Sequence, residues 1–131
     1  VSSFMLTMIV FLSSMFISDL IIGIYSGMIF TYIALILIGL IYYFIFYKIT
    51  YKNLIFHSIF GSFIFYLITN FFVWTYSDLY EKNIDGLIQC YFLAIPFFSN
   101  TLLSTIFFSF LTFACVDKVN KYFYKKEKNI I

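Results

Sequence analysis

An all-α fold, a polytopic transmembrane helix bundle, is predicted by three features of this sequence. Hydrophobic residues make up 63% of the 131 residues and charged residues only 11%, against roughly 45–50% and about 25% in soluble domains. Apolar runs of about 20 residues, the length that crosses roughly 30 Å of hydrocarbon, recur along the chain. A small soluble domain leaves too much of its surface exposed to hide so many apolar side chains. We therefore expect about four spanning helices, plus a short interfacial or broken helix before Pro96.

The order of the apolar runs gives the expected spans. They cover residues 4–24, 29–47, 54–74 and 97–116. The last apolar stretch begins earlier, at residue 87, and as a single helix to residue 116 it would be about 45 Å long. That exceeds the hydrocarbon core, and Pro96 lies inside it. A proline removes a backbone hydrogen bond and clashes with the preceding turn, so we predict structural breaks at Gly86 and Pro96.

The distribution of lysine predicts the orientation. Lys48 and Lys52 lie between the second and third spans, and five further lysines lie in residues 118–131. The loop over residues 75–86 has three acidic residues and one lysine, so its net charge is −2. Because lysines in short loops favour the cytoplasmic side, both termini are expected in the cytoplasm and this loop outside. We expect a bundle over residues 1–117 and a basic cytoplasmic tail over residues 118–131, in a bacterial inner membrane.

Three polar side chains, Asp19, Asn70 and Asn100, are expected at similar depth in the outer half of the predicted bundle, and together with Trp74 they are the candidate ligand-binding residues. Asp19 lies near the end of the first span, and Asn70 lies one helical turn before Trp74 in the third. Asn100 lies about one turn after Pro96. Polar groups in hydrocarbon are costly and usually face the bundle interior or a cavity. The alternative is that these groups form hydrogen bonds between helices, which are common in membrane bundles.

Several classes of function find no support in the sequence. Ser–His–Asp order, paired intramembrane carboxylates, HExxH and a phosphate-binding loop do not occur, so no catalytic residues and no enzyme activity are predicted. The chain has neither a CxxC motif nor a His–Cys cluster, so no metal site and no cofactor are expected. We expect membrane lipids, other membrane protein subunits and a small-molecule ligand as partners, and no nucleic acid.

A longer pattern in the second half of the chain resembles a family of small bacterial membrane proteins of unknown function. The matching residues are Asn70, Val73-Trp74, Tyr80, Gly86-Leu87, Cys90-Tyr91, Ala94-Ile95-Pro96-Phe97-Phe98 and Asn100-Thr101-Leu102, with Ser18-Asp19-Leu20 in the first span. The chain departs from the family at Glu81 and Asn83, where Pro and Thr are typical, and at Ser104 and Thr105, where Gly-Asp is frequent. An acidic ligand is therefore missing there.

The layout of that family is similar to the substrate-binding subunits of energy-coupling-factor transporters. Those subunits bind a small molecule near the external side and dock on an ATP-driven module. The resemblance implies an outward-facing small-molecule site in this chain. The competing hypothesis is a non-catalytic structural or accessory subunit of a larger membrane complex, in which the same polar residues connect helices.

Overall fold

Five α-helices make up the fold in the computed structural model of the chain, which describes residues 3–45 and 50–128. They are α1 (Ser3–Ile22), α2 (Met28–Ile45), α3 (Leu54–Tyr76), α4 (Ile84–Leu93) and α5 (Ile95–Lys128). The described residues contain no strand. The prediction of an all-α fold is confirmed. The predicted end of the second span and Lys48 lie outside the described residues.

Four of these helices are long and apolar enough to cross a membrane. They cover Phe4–Ile22, Met28–Ile45, Leu54–Tyr76 and Ile95–Lys125, with mean hydropathy between 1.6 and 2.4. Their large apolar side chains are mostly exposed, for example Ile21 at 81% and Phe44 at 77%. Exposure of this kind is stable only where lipid, not water, contacts the helix surface. The chain is therefore an integral membrane protein with four candidate spans.

The turn between α1 and α2 depends on two glycines. Gly23 has φ +117° and Gly27 has φ +98°, a region of backbone conformation that residues with a Cβ rarely adopt. The Gly23 N–H donates to the Asp19 carbonyl at 2.8 Å and ends α1. This local chemistry folds α2 back against α1.

A break separates α4 from α5 beside Pro96, as predicted. The Ala94 N–H donates to the carbonyls of Cys90 and Tyr91 at 3.2 Å, which tightens the end of α4. Helix α5 begins at Ile95, so Pro96 lies in its first turn. A proline is tolerated there because the first N–H groups of a helix have no partner within it. Helix α5 then continues to Lys128, past the expected end of the last span at residue 116.

The chain forms two compact units. Unit 1 contains α1, α2, the part of α3 from Ile64 onward and α4, and unit 2 contains residues 50–63 and α5 from Pro96. In unit 1, Ala34 of α2 is fully buried. In unit 2, ring contacts join the two segments, with centroids 6.4 Å apart for Phe63 and Phe98 and 4.5 Å apart for Tyr51 and Phe113.

Candidate functional site

Asp19 is a buried carboxylate with a partner on the neighbouring helix. Its side chain is 8% exposed, and the Tyr32 hydroxyl of α2 donates to Asp19 Oδ2 at 2.7 Å. A carboxylate removed from water is costly unless a hydrogen bond compensates it. The Tyr32 bond supplies that compensation and connects α1 to α2.

Asn70 lies where α3 packs against α4. Its side-chain Nδ2 donates to the Tyr66 backbone carbonyl of its own helix at 2.8 Å. The Asn70 backbone carbonyl accepts from the Cys90 thiol of α4 at 3.4 Å. Two tyrosines connect the same helices reciprocally. The Tyr66 hydroxyl donates to the Tyr91 carbonyl at 2.5 Å, and the Tyr91 hydroxyl donates to the Leu67 carbonyl at 2.7 Å. The Asn70 amide is thus engaged by its own helix.

Trp74 holds the loop between α3 and α4. Its Nε1–H donates to the Glu81 carbonyl at 3.0 Å. The Lys82 ammonium donates to the carbonyl of Trp74, in the last turn of α3, and to the carbonyl of Ser77, the residue after that helix. The last carbonyls of a helix have no partner within it. The loop therefore folds back over the end of α3 instead of extending into solvent.

Gly86 is required for the close approach of this loop to α4. Asn83 caps α4, with its side-chain Oδ1 accepting from the Gly86 N–H at 2.7 Å. A Cβ at position 86 would lie 2.1 Å from the Glu81 carbonyl oxygen, which no real Cβ tolerates. Gly86 lies within the first turn of α4, and its lack of a side chain admits the Glu81 backbone.

Cys90 offers a direct test of this packing. It is 1% exposed, and burial raises the pKa of the thiol, which disfavours the reactive thiolate. In a Cys115→Ser background, we expect N-ethylmaleimide to label Cys90 at least about 100-fold more slowly in the folded protein than after unfolding in dodecyl sulfate. The measurement is the mass of the labelled protein over time. Equal rates would show that α4 does not bury Cys90 against α3.

A cavity of about 320 Å³ lies in unit 1, between the start of α2 and the end of α3. The lining residues are Tyr25, Ser26, Gly27, Phe30, Thr31, Thr69, Phe72, Val73, Tyr76 and Ser77. One wall is aromatic, because the Phe30 ring stacks on Phe72 and on Tyr76 with centroids 4.8 and 4.6 Å apart. None of the lining side chains is an acid, a lysine or a histidine. The cavity therefore combines apolar rings with neutral hydroxyl groups.

None of the four candidate residues from the sequence lines this cavity. Asp19 and Trp74 are each bonded within unit 1, as described above, and Asn70 lies next to the lining residue Thr69. Asn100 is exposed and belongs to unit 2, as does Pro96. Sequence reasoning missed the segment over residues 25–31, which it divided between the gap after the first predicted span and the start of the second. The signal present was a group of hydroxyl and aromatic residues beside two glycines.

Within residues 3–45 and 50–128, no group of three or more His, Cys, Asp or Glu side chains could hold a metal ion. His57 and Ser58 are buried on α3 in unit 2, and the Ser58 hydroxyl donates to the Leu54 carbonyl at 2.9 Å.

Four apolar spans and a cavity between two of them define a polytopic membrane protein. The chain belongs to DUF6580, a family of unknown function, whose sequence profile matches residues 1–127. The predicted membership of an uncharacterised family is thereby confirmed. Comparison with curated proteins and with solved structures gave no match.

Proposed function

We propose that the protein binds a small molecule in the cavity of unit 1 and acts as the substrate-binding subunit of a membrane transporter. The cavity itself is the observation that carries this proposal. Its volume of about 320 Å³ lies at the lower end of the range of roughly 300–1,000 Å³ that is typical of ligand pockets. A ligand of one or two rings would fill it.

The lining indicates the chemistry of the ligand. Phe30, Phe72 and Tyr76 offer an aromatic wall to a planar group. The hydroxyls of Thr31, Thr69 and Ser77 each donate to the backbone carbonyl four residues earlier, at 3.4, 2.8 and 2.6 Å. Their oxygens keep lone pairs that can accept from a ligand donor. The absence of charged side chains from the lining favours a neutral ligand.

The position of the cavity agrees with a transport role. It lies between the start of α2 and the end of α3, beside the loop over residues 75–86, which we expect outside because lysines in short loops favour the cytoplasmic side. In this proposal Asp19, Asn70 and Trp74 hold the surrounding helices and loop instead of contacting the ligand. The similarity of the family's layout to energy-coupling-factor subunits supports the same role and implies an ATP-driven module as partner.

Removal of one lining hydroxyl tests the site. We expect Thr69→Val to lower ligand occupancy roughly three- to tenfold, the effect of one lost hydrogen bond. Thr75→Val is the matched control, because Thr75 makes the same 2.8 Å bond to the carbonyl four residues earlier on α3 but does not line the cavity. Native mass spectrometry of protein purified from its own membranes measures the bound small molecule. Equal loss in both variants would contradict the proposed site.

The second candidate function is a structural subunit of a larger membrane complex. The observation in its favour is that the side chains of Asp19, Asn70 and Trp74 each form a hydrogen bond within unit 1, as expected of residues that hold helices and loops together. Purification from the native membrane separates the two. Co-purification of an ATP-binding cassette protein would support transport. Co-purification of an intact respiratory or photosynthetic complex, with an empty cavity, would support the structural role.

A further inference from the structure

Lysines from two distant parts of the sequence lie toward the same end of unit 2. The Tyr51 ring packs on the Phe113 ring of α5 at 4.5 Å, which brings the segment before α3 to this level of α5. Lys118 follows Phe113 by about 7.5 Å along the helix. We call this group the basic end. It consists of Lys52, Lys118, Lys121 and Lys125, all exposed.

The length of α5 places the basic end at the membrane surface. The helix has 34 residues and is therefore about 51 Å long, roughly 20 Å more than the hydrocarbon core. Its last turns must extend beyond that core. Three aromatic residues there are also exposed, Tyr122 at 67%, Phe123 at 59% and Tyr124 at 71%. Tyrosine, which supplies two of these three residues, is enriched at the level of lipid head groups.

The lysines of α5 point along one side of the helix. Lys118, Lys121 and Lys125 are spaced i, i+3 and i+7, which puts them on a common face. Lys121 Nζ lies 2.8 Å from Asp117 Oδ2, so part of its charge is neutralised. Lys118 and Lys125 have no ion pair among the described side chains. The face therefore carries a positive charge beside the bilayer.

We propose that the basic end binds the head groups of acidic phospholipids in the leaflet that it faces. Positive charge held within a few ångströms of the head groups, with aromatic anchors at the same level, is complementary to an anionic lipid surface. A lysine near such a surface contributes roughly a fivefold gain in binding. Acidic lipid would hold this end of α5 at the interface. The inference is independent of the cavity in unit 1.

Lipid retention tests this inference with the full chain. The purified protein is incubated with an equimolar mixture of phosphatidylglycerol and phosphatidylcholine, and native mass spectrometry counts the retained lipids. We expect wild-type protein to retain more phosphatidylglycerol than phosphatidylcholine. In the triple variant Lys118→Gln, Lys121→Gln, Lys125→Gln, the ratio of the two retained lipids should fall at least about tenfold. Size-exclusion chromatography verifies that this exposed triple variant stays folded.

Three comparisons make the result specific. Replacing the same three lysines by arginine keeps the charge and should keep the preference, whereas Asp117→Asn frees Lys121 and should raise it. Inorganic phosphate, compared with chloride at equal ionic strength, should not displace the lipid. The proposal is overturned if the glutamine variant keeps the wild-type preference, if the arginine variant loses it, or if phosphate abolishes it. Retention of a protein or nucleic acid in place of lipid would also overturn it.

Discussion

Replacing Gly86 by alanine is expected to lower the free energy of unfolding by about 3 kcal/mol or more. The added Cβ would lie 2.1 Å from the Glu81 carbonyl oxygen and 2.9 Å from its carbon. Both are backbone atoms, so the loop itself must move. The same carbonyl accepts the Trp74 indole N–H, and this bond would be strained or lost. The gain in helix propensity from alanine, roughly 1 kcal/mol, is too small to compensate.

Gly39→Ala is the matched control for this effect, because Gly39 also lies inside a helix of unit 1. A Cβ there would lie 2.8 Å from the sulfur and terminal methyl of Met8, the far end of a flexible side chain. We expect a change within about 1 kcal/mol. Unfolding in detergent, followed by circular dichroism during a dodecyl sulfate titration, measures both variants. Equal stability of the two would mean that the Glu81 backbone does not rest against α4.

The second large effect is expected from Tyr32→Phe, which removes the hydroxyl that bonds Asp19. A buried carboxylate would then lose the partner that the structure gives it, which costs about 1–3 kcal/mol of stability. Tyr43→Phe is the control on the same helix, since Tyr43 is 54% exposed and phenylalanine keeps its ring packing on Phe4. We expect that control to change stability by less than about 0.5 kcal/mol.

A double variant separates a helix-connecting role of Asp19 from a ligand-binding one. Asp19→Leu with Tyr32→Phe removes both polar partners, so it should be more stable than Tyr32→Phe alone. If Asp19 only connects helices, this double variant should keep its ligand in the cavity of unit 1. Loss of the ligand with unchanged stability would instead return Asp19 to the binding site that the sequence suggested.

The candidate site shows where prediction from sequence stops. The depth argument brought attention to Asn70 and Trp74, because position along a helix follows from residue number alone. It could not tell which way a side chain points, and Thr69, one residue from Asn70, lines the cavity instead. The segment over residues 25–31 has no charge and no recognisable motif. Its role emerges only when the α1–α2 turn lies against the end of α3.

The amino-acid sequence alone determined the membrane environment, the number of spans and the break beside Pro96. These depend on local composition, on the length of apolar runs and on the missing N–H of proline. Only the tertiary structure decided that Tyr32 bonds Asp19, that Gly86 admits the Glu81 backbone and that a cavity lies between α2 and α3. Each of these depends on atoms from separate helices meeting within a few ångströms. Spacing along one helix does not specify such contacts, because they are set by how neighbouring helices pack.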